Sequence, residues 1–106
     1  MKELEERILK DGQILGDDIL KVGGFLNQLI DTKLLKNMAK EVKRLFPEEV
    51  TKILTIEASG IPFACSVAFE YDVPFIFAKK HKTANVSGDV VTATVYSFTH
   101  KVSNTI

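Results

Sequence analysis

Between Asp31 and Pro47, apolar side chains recur at helical spacing: Leu34, Leu35, Met38, Ala39, Val42, Leu45 and Phe46. The pattern predicts an amphipathic helix over Thr32–Phe46, opened by Asp31 as N-cap and ended by Pro47. Lys33, Lys36, Lys40, Lys43 and Arg44 form its wet face. The period then changes. Lys52–Ile56 is β-branched and apolar and reads as a buried strand. After Glu57-Ala58-Ser59-Gly60 the spacing is helical again, over Pro62–Tyr71, with Ala64, Val67 and Ala68 allowing close approach to a sheet. Asp72-Val73-Pro74 turns the chain, and Pro74–Ala78 is a second apolar strand. Two apolar strands joined by a helix predict a right-handed βαβ unit with parallel strands. The helix Thr32–Phe46 is expected to cover one side of the first strand.

The flanks are less regular. Lys2–Lys10 predicts a short amphipathic helix with Leu4, Ile8 and Leu9 on one side, stopped by Asp11-Gly12. Gln13-Ile14-Leu15 reads as a short extended piece. Gly16-Asp17-Asp18 is a turn, although Asp17 or Asp18 serves equally well to cap a helical turn through Leu20. Lys21–Ile30 fits neither period and reads as an extended, partly exposed segment that bends at Gly23-Gly24. Within it, Asn27 either bonds the local backbone or meets a ligand whose flat face packs on Leu20, Phe25 or Leu26. Thr83–Asp89 is polar and expected to be mobile. Val90–Phe98 predicts a strand, with Thr99–Ile106 as its antiparallel partner.

Bulk properties narrow the class. The chain has 106 residues, enough for one domain; 45% are hydrophobic and 26% charged, as in ordinary globular proteins. A net charge of +0 gives no electrostatic reason to expect nucleic acid. No apolar run reaches the roughly 20 residues that span a bilayer, and the first residues are charged rather than signal-like. The expectation is a cytoplasmic protein without a membrane partner. Cys65 is the single cysteine, which excludes an internal disulfide. CxxC, HxxxH and GxGxxG spacings do not occur.

Candidate chemistry lies where the first core strand meets its helix. A tight turn there aims free N–H groups and the positive end of a helix dipole at an anion, above all a phosphate. Gly60 permits backbone angles closed to other residues, and Pro62 suits the first helical position. Lys79-Lys80-His81-Lys82 follows the second strand at its carboxyl end, where open α/β sheets bind ligands. Tyr96, Ser97 and His100 lie where a loop on two antiparallel strands would close as a lid and reach phosphate, although strand packing explains them equally well. The plain alternative is an ordinary turn beside solvated lysines.

Four runs together carry a resemblance: Leu20-Lys21-Val22 with Phe25-Leu26-Asn27 and Ile30-Asp31; Ile56-Glu57 with Ser59-Gly60-Ile61; Phe77 to Lys82; and Thr92 to Thr99. In order and register over essentially the whole chain, it resembles the bacterial xanthine phosphoribosyltransferases of the type I phosphoribosyltransferase family. The resemblance implies an α/β, partial type I fold, with a hood over residues 13–31 and a flexible-loop region over 83–106. It implies transfer of phosphoribosyl from phosphoribosyl pyrophosphate to xanthine in purine salvage, with Mg²⁺ bound mainly through that substrate, by a homodimer. By the same resemblance Leu20 and Asn27 meet xanthine. Glu57, Ala58, Ser59 and Gly60 with Lys79, Lys80 and Lys82 hold pyrophosphate, and Tyr96 and Ser97 belong to the closing loop.

Three departures stand out. Lys79 replaces the family's usual Arg, Gly23-Gly24 replaces bulkier hood residues, and the strand with two acids and a small-residue loop that cradles the 5′-phosphate does not occur. The implied expectation is a chain that stops short of a C-terminal segment and has little or no activity by itself. The competing reading is a non-catalytic ligand-sensing or assembly module of the same descent.

Overall fold

The computed structural model describes residues 1–17, 19–80, 91–97 and 102–105. Its elements in chain order are α1 (Lys2–Asp11), β1 (Gln13–Leu15), β2 (Ile19–Lys21), α2 (Thr32–Leu45), β3 (Ile53–Ile56), α3 (Ile61–Tyr71), β4 (Phe75–Ala78), β5 (Thr94–Ser97) and β6 (Val102–Thr105). No helix among the described residues is long and apolar enough to cross a membrane.

The core is the βαβ unit. β3 and β4 pair in parallel, Ile53 beside Phe75 and Ile56 beside Ala78, with α3 as the connection. Asp72 ends α3 in the left-handed conformation (φ 56°), which Asp tolerates, and Pro74 prevents the helix from resuming. α3 packs on both strands through Ala64, Val67 and Ala68, all buried. The small side chains bring the helix backbone close to the sheet.

α2 begins where Asp31 Oδ1 accepts the Leu34 N–H at 3.1 Å. It does not cover the first strand, as its pattern suggested; it packs on α3. The reason is width. Two strands lie about 4.8 Å apart, whereas a helix with its side chains is about 10 Å across, so one helix fills the face. Leu34, Leu35 and Ala39 are buried, Leu34 on the side of α1, and the Ser66 hydroxyl of α3 donates to Leu35 O at 3.2 Å. The stripe outruns that cover: Leu45 and Phe46 are exposed.

The strands are also not buried on both faces. Exposure alternates along β3, and Leu54 (71%) and its neighbour Ile76 (53%) face away from α3. The apolar run therefore records a second face that nothing among the described residues covers.

At the other end, β1 and β2 form an antiparallel hairpin, Gln13 opposite Lys21, turned at Gly16 with φ 66°. The helical turn through Leu20 is not formed. Residues 22–31 are coiled rather than extended. Val22 O accepts the N–H groups of Phe25 and Leu26, Gly23 O accepts those of Gln28 and Leu29, and the Asp31 N–H donates to Phe25 O at 2.9 Å. Phe25 is fully buried. The expected partial exposure is found at Asn27, Gln28 and Leu29, but the expected extended backbone is not: it turns on itself and sends the Phe25 ring into the core.

β5 and β6 are antiparallel, Thr94 opposite Thr105. The strand expected from Val90 begins only at Thr94. The expected mobile stretch Thr83–Asp89 lies outside the described residues.

Candidate functional site

Parallel register brings the carboxyl ends of β3 and β4 level. The Glu57 N–H donates to Ala78 O at 3.1 Å, carrying the ladder one step past the strands. The Lys80 N–H then donates to Glu57 Oε1. These two bonds hold the corner after β3 against the segment after β4. The Glu57–Ala58 peptide bond is cis. Ala58 O accepts the Ile61 N–H at 3.1 Å, and Gly60 O accepts the Ala64 N–H at 3.0 Å as α3 begins. No described residue accepts a hydrogen bond from the N–H groups of Ala58, Ser59 or Gly60. They stand at the positive end of the α3 dipole.

Asn27, Glu57, Ala58, Ser59, Pro62 and Lys80 line a cleft of about 460 Å³ at this corner. Asn27 reaches it from the coiled segment before α2. Its amide bonds no described residue, so the local-backbone reading of Asn27 does not hold. A larger groove, about 710 Å³, runs between α2 and α3 past Leu35, Cys65 and Phe69. It is mainly apolar, with Thr32, Lys36, Ser66 and Glu70 along its lining.

Five of the residues singled out by sequence thus meet in one cleft: Asn27, Glu57, Ala58, Ser59 and Lys80. Gly60 stands just behind, with an ordinary right-handed conformation (φ −82°). Its conformational freedom is not what the turn uses. A Cβ at Gly60 would lie 2.5 Å from Thr55 Oγ1, so what matters is close approach to β3. Pro62 is the second helical residue rather than the first, and it walls the cleft, which its helix-start signal did not announce.

Other expected residues are elsewhere. Leu20 sits on β2 beside Gly12, Phe25 is fully buried, and neither lines the cleft. The Lys79 ammonium lies 5.8 Å from the Phe77 ring centroid, off the cleft lining. Tyr96 and Ser97 are in β5, paired with Ser103 and Val102. His81, Lys82 and His100 lie outside the described residues. Among the described residues, no three His, Cys, Asp or Glu side chains gather as metal ligands.

Sequence reasoning missed Arg7. Its guanidinium pairs with Asp11 and, at 2.6 Å, with Asp31, and stacks 4.8 Å from the Phe25 centroid. The Arg7 hydrogen bond, with help from the Leu34 N–H, holds the Asp31 carboxyl below its ordinary range. Asp31 in turn raises Arg7.

No family model matches the chain. Curated relatives do. The chain is 50% identical over 107 residues of alignment to the xanthine phosphoribosyltransferase of Lacticaseibacillus casei (strain BL23), covering 100% of this chain and 56% of that protein. It is 51% identical over 104 residues to that of Clostridium novyi (strain NT), covering 97% of this chain and 55% of that protein. A third, from Streptococcus pyogenes serotype M3, is 50% identical with 100% and 55% covered. Along its length the chain is similar to part of each of these xanthine phosphoribosyltransferases. It spans about half the length of the curated relatives it matches. The α/β class and parallel βαβ core read from the sequence are those of the structure, and they agree with part of a phosphoribosyltransferase fold.

Proposed function

We propose that this chain supplies the pyrophosphate grip and a base contact of a xanthine phosphoribosyltransferase acting in purine salvage. A ring nitrogen of xanthine forms the bond to the anomeric carbon and loses its proton to water. The bond from that carbon to oxygen breaks, and pyrophosphate leaves with the electron pair. The observation that supports this reading is the Lys80 N–H to Glu57 bond, which brings Lys80 to the cleft at the turn whose Ala58, Ser59 and Gly60 N–H groups bond no described residue. Such preorganised donors stabilise the charge that grows on the leaving group.

Ala58, Ser59 and Gly60 offer their N–H groups and Lys80 its charge, while Glu57 holds the two segments together. Asn27 meets the base. Lys79, Lys82, Tyr96 and Ser97 belong to the same reading, as approach from the neighbouring segment and the closing loop. Leu20 reaches the base only if the hairpin shifts toward the cleft on binding. Glu57 is the cleft's single carboxylate and is committed to Lys80, so the described residues do not form a cage for Mg²⁺. The ion is proposed to enter on the substrate's diphosphate oxygens, where it would neutralise charge. A homodimer in the cytoplasm completes the proposal.

Calorimetry with pyrophosphate and with xanthine tests it. Saturable pyrophosphate binding, weakened about 10-fold or more by Lys80→Ala, is expected for loss of one charge-assisted contact. No binding at millimolar pyrophosphate would refute it.

A further inference from the structure

We infer that Arg7 is a positioning residue for base recognition: it fastens both ends of the Phe25–Asp31 loop and so fixes where Asn27 stands in the cleft. The loop is closed by the Asp31 N–H to Phe25 O bond and by an antiparallel bridge between Leu26 and Ile30, with Asn27 near its tip. Those bonds give the loop its shape. Burial of Phe25 and the cap at Asp31 attach its two ends to the body, and Arg7 on α1 ties those ends to each other, stacking on the Phe25 ring and pairing with Asp31 Oδ2.

Asp31 divides its oxygens: Oδ1 caps α2 through Leu34, and Oδ2 holds Arg7. The residue that starts α2 therefore also anchors the loop. A planar guanidinium lies flat on a ring while its edge pairs with a carboxylate, a geometry that a compact ammonium does not reproduce. Asn27 has no hydrogen bond to a described residue, so its position depends on the loop that carries it. Fixing a contact before the ligand arrives lowers the ordering cost of binding.

The inference rests on the proposed role of the cleft, and two arms of one experiment separate them. In the free protein, Arg7→Ala should speed amide exchange at Gln28, Leu29 and Asp31 by about 5-fold or more, with α3 unchanged and Arg7→Lys intermediate. Unchanged exchange overturns the inference whatever the ligand. In the second arm, Arg7→Ala should weaken xanthine binding about 5-fold while pyrophosphate affinity holds, and Arg7→Ala with Asn27→Ala should bind no more weakly than Asn27→Ala alone. Additive losses, or equal weakening of pyrophosphate, would mean that Arg7 serves the fold in general. If the unaltered chain binds neither ligand, the proposed function fails and the exchange arm still decides the role of Arg7.

Discussion

The backbone N–H of Lys80 donates to the carboxylate of Glu57, 23 residues earlier in the chain. The bond places an acid in a cleft proposed for an anion, and the two effects of that acid can be separated. Glu57→Gln keeps an acceptor and removes a like charge worth about 1 kcal/mol at 4 Å in water. Pyrophosphate should bind as tightly as before or a few-fold tighter. Glu57→Ala also loses the link, worth about 1.5–3 kcal/mol for a charged acceptor. Binding should then weaken, despite the lost repulsion. Calorimetry on the two variants checks the order.

Gly60 abuts Thr55 rather than adopting a special conformation. Gly60→Ala should destabilise the fold by about 1–3 kcal/mol through overpacking. Adding Thr55→Ala removes the oxygen in the way and should recover part of that loss. Urea denaturation of both singles and the double gives the coupling. Purely additive losses would place the strain elsewhere.

Asp31 links stability to acid. Its folded carboxyl is held below the ordinary range, first by Arg7 and then by the Leu34 N–H. Its contribution is thus present above the unfolded pKa, and it disappears as pH falls through the folded value, below about pH 4. Asp31→Asn keeps a capping oxygen and cannot titrate. The variant should show a shallower loss of stability between neutral pH and that range, measured by urea unfolding at several pH values.

The uncovered sheet face makes a different prediction. Leu54 and Ile76 are neighbours on that face and largely exposed. At high concentration the chain should self-associate through them. Leu54→Lys with Ile76→Lys should yield a monomer with little change in Tm, since neither side chain packs on α3. Sedimentation velocity measures the first and thermal unfolding the second. Monomers from the unaltered chain would count against this.

Much of this was legible from local rules. Asp31 as a cap, the stripe through Leu34, Leu35 and Ala39, and the small residues of α3 each signal their role within a few residues. Parallel pairing followed from two apolar strands with a helix between them. The misses depend on information that periodicity does not carry. That α2 packs on α3 depends on the width of a two-stranded sheet. That Phe25 is buried depends on two carbonyls, of Val22 and Gly23, gathering four N–H groups in a glycine-containing segment. The pairing of Arg7 with Asp31 spans 24 residues, and nothing beside Arg7 marks it among other surface charges. In the cleft, residue types pointed to Asn27, the Glu57–Gly60 turn and Lys80. Leu20 stands apart because it is paired with Ile14 in the β1–β2 hairpin, which residue type does not announce.

A pyrophosphate titration followed by amide NMR reaches the central claim without a mutation. Saturable shifts in the signals of Ala58, Ser59, Gly60 and Lys80, together, are the predicted result. Shifts confined to the lysine face of α2, or none at those four amides, would contradict it.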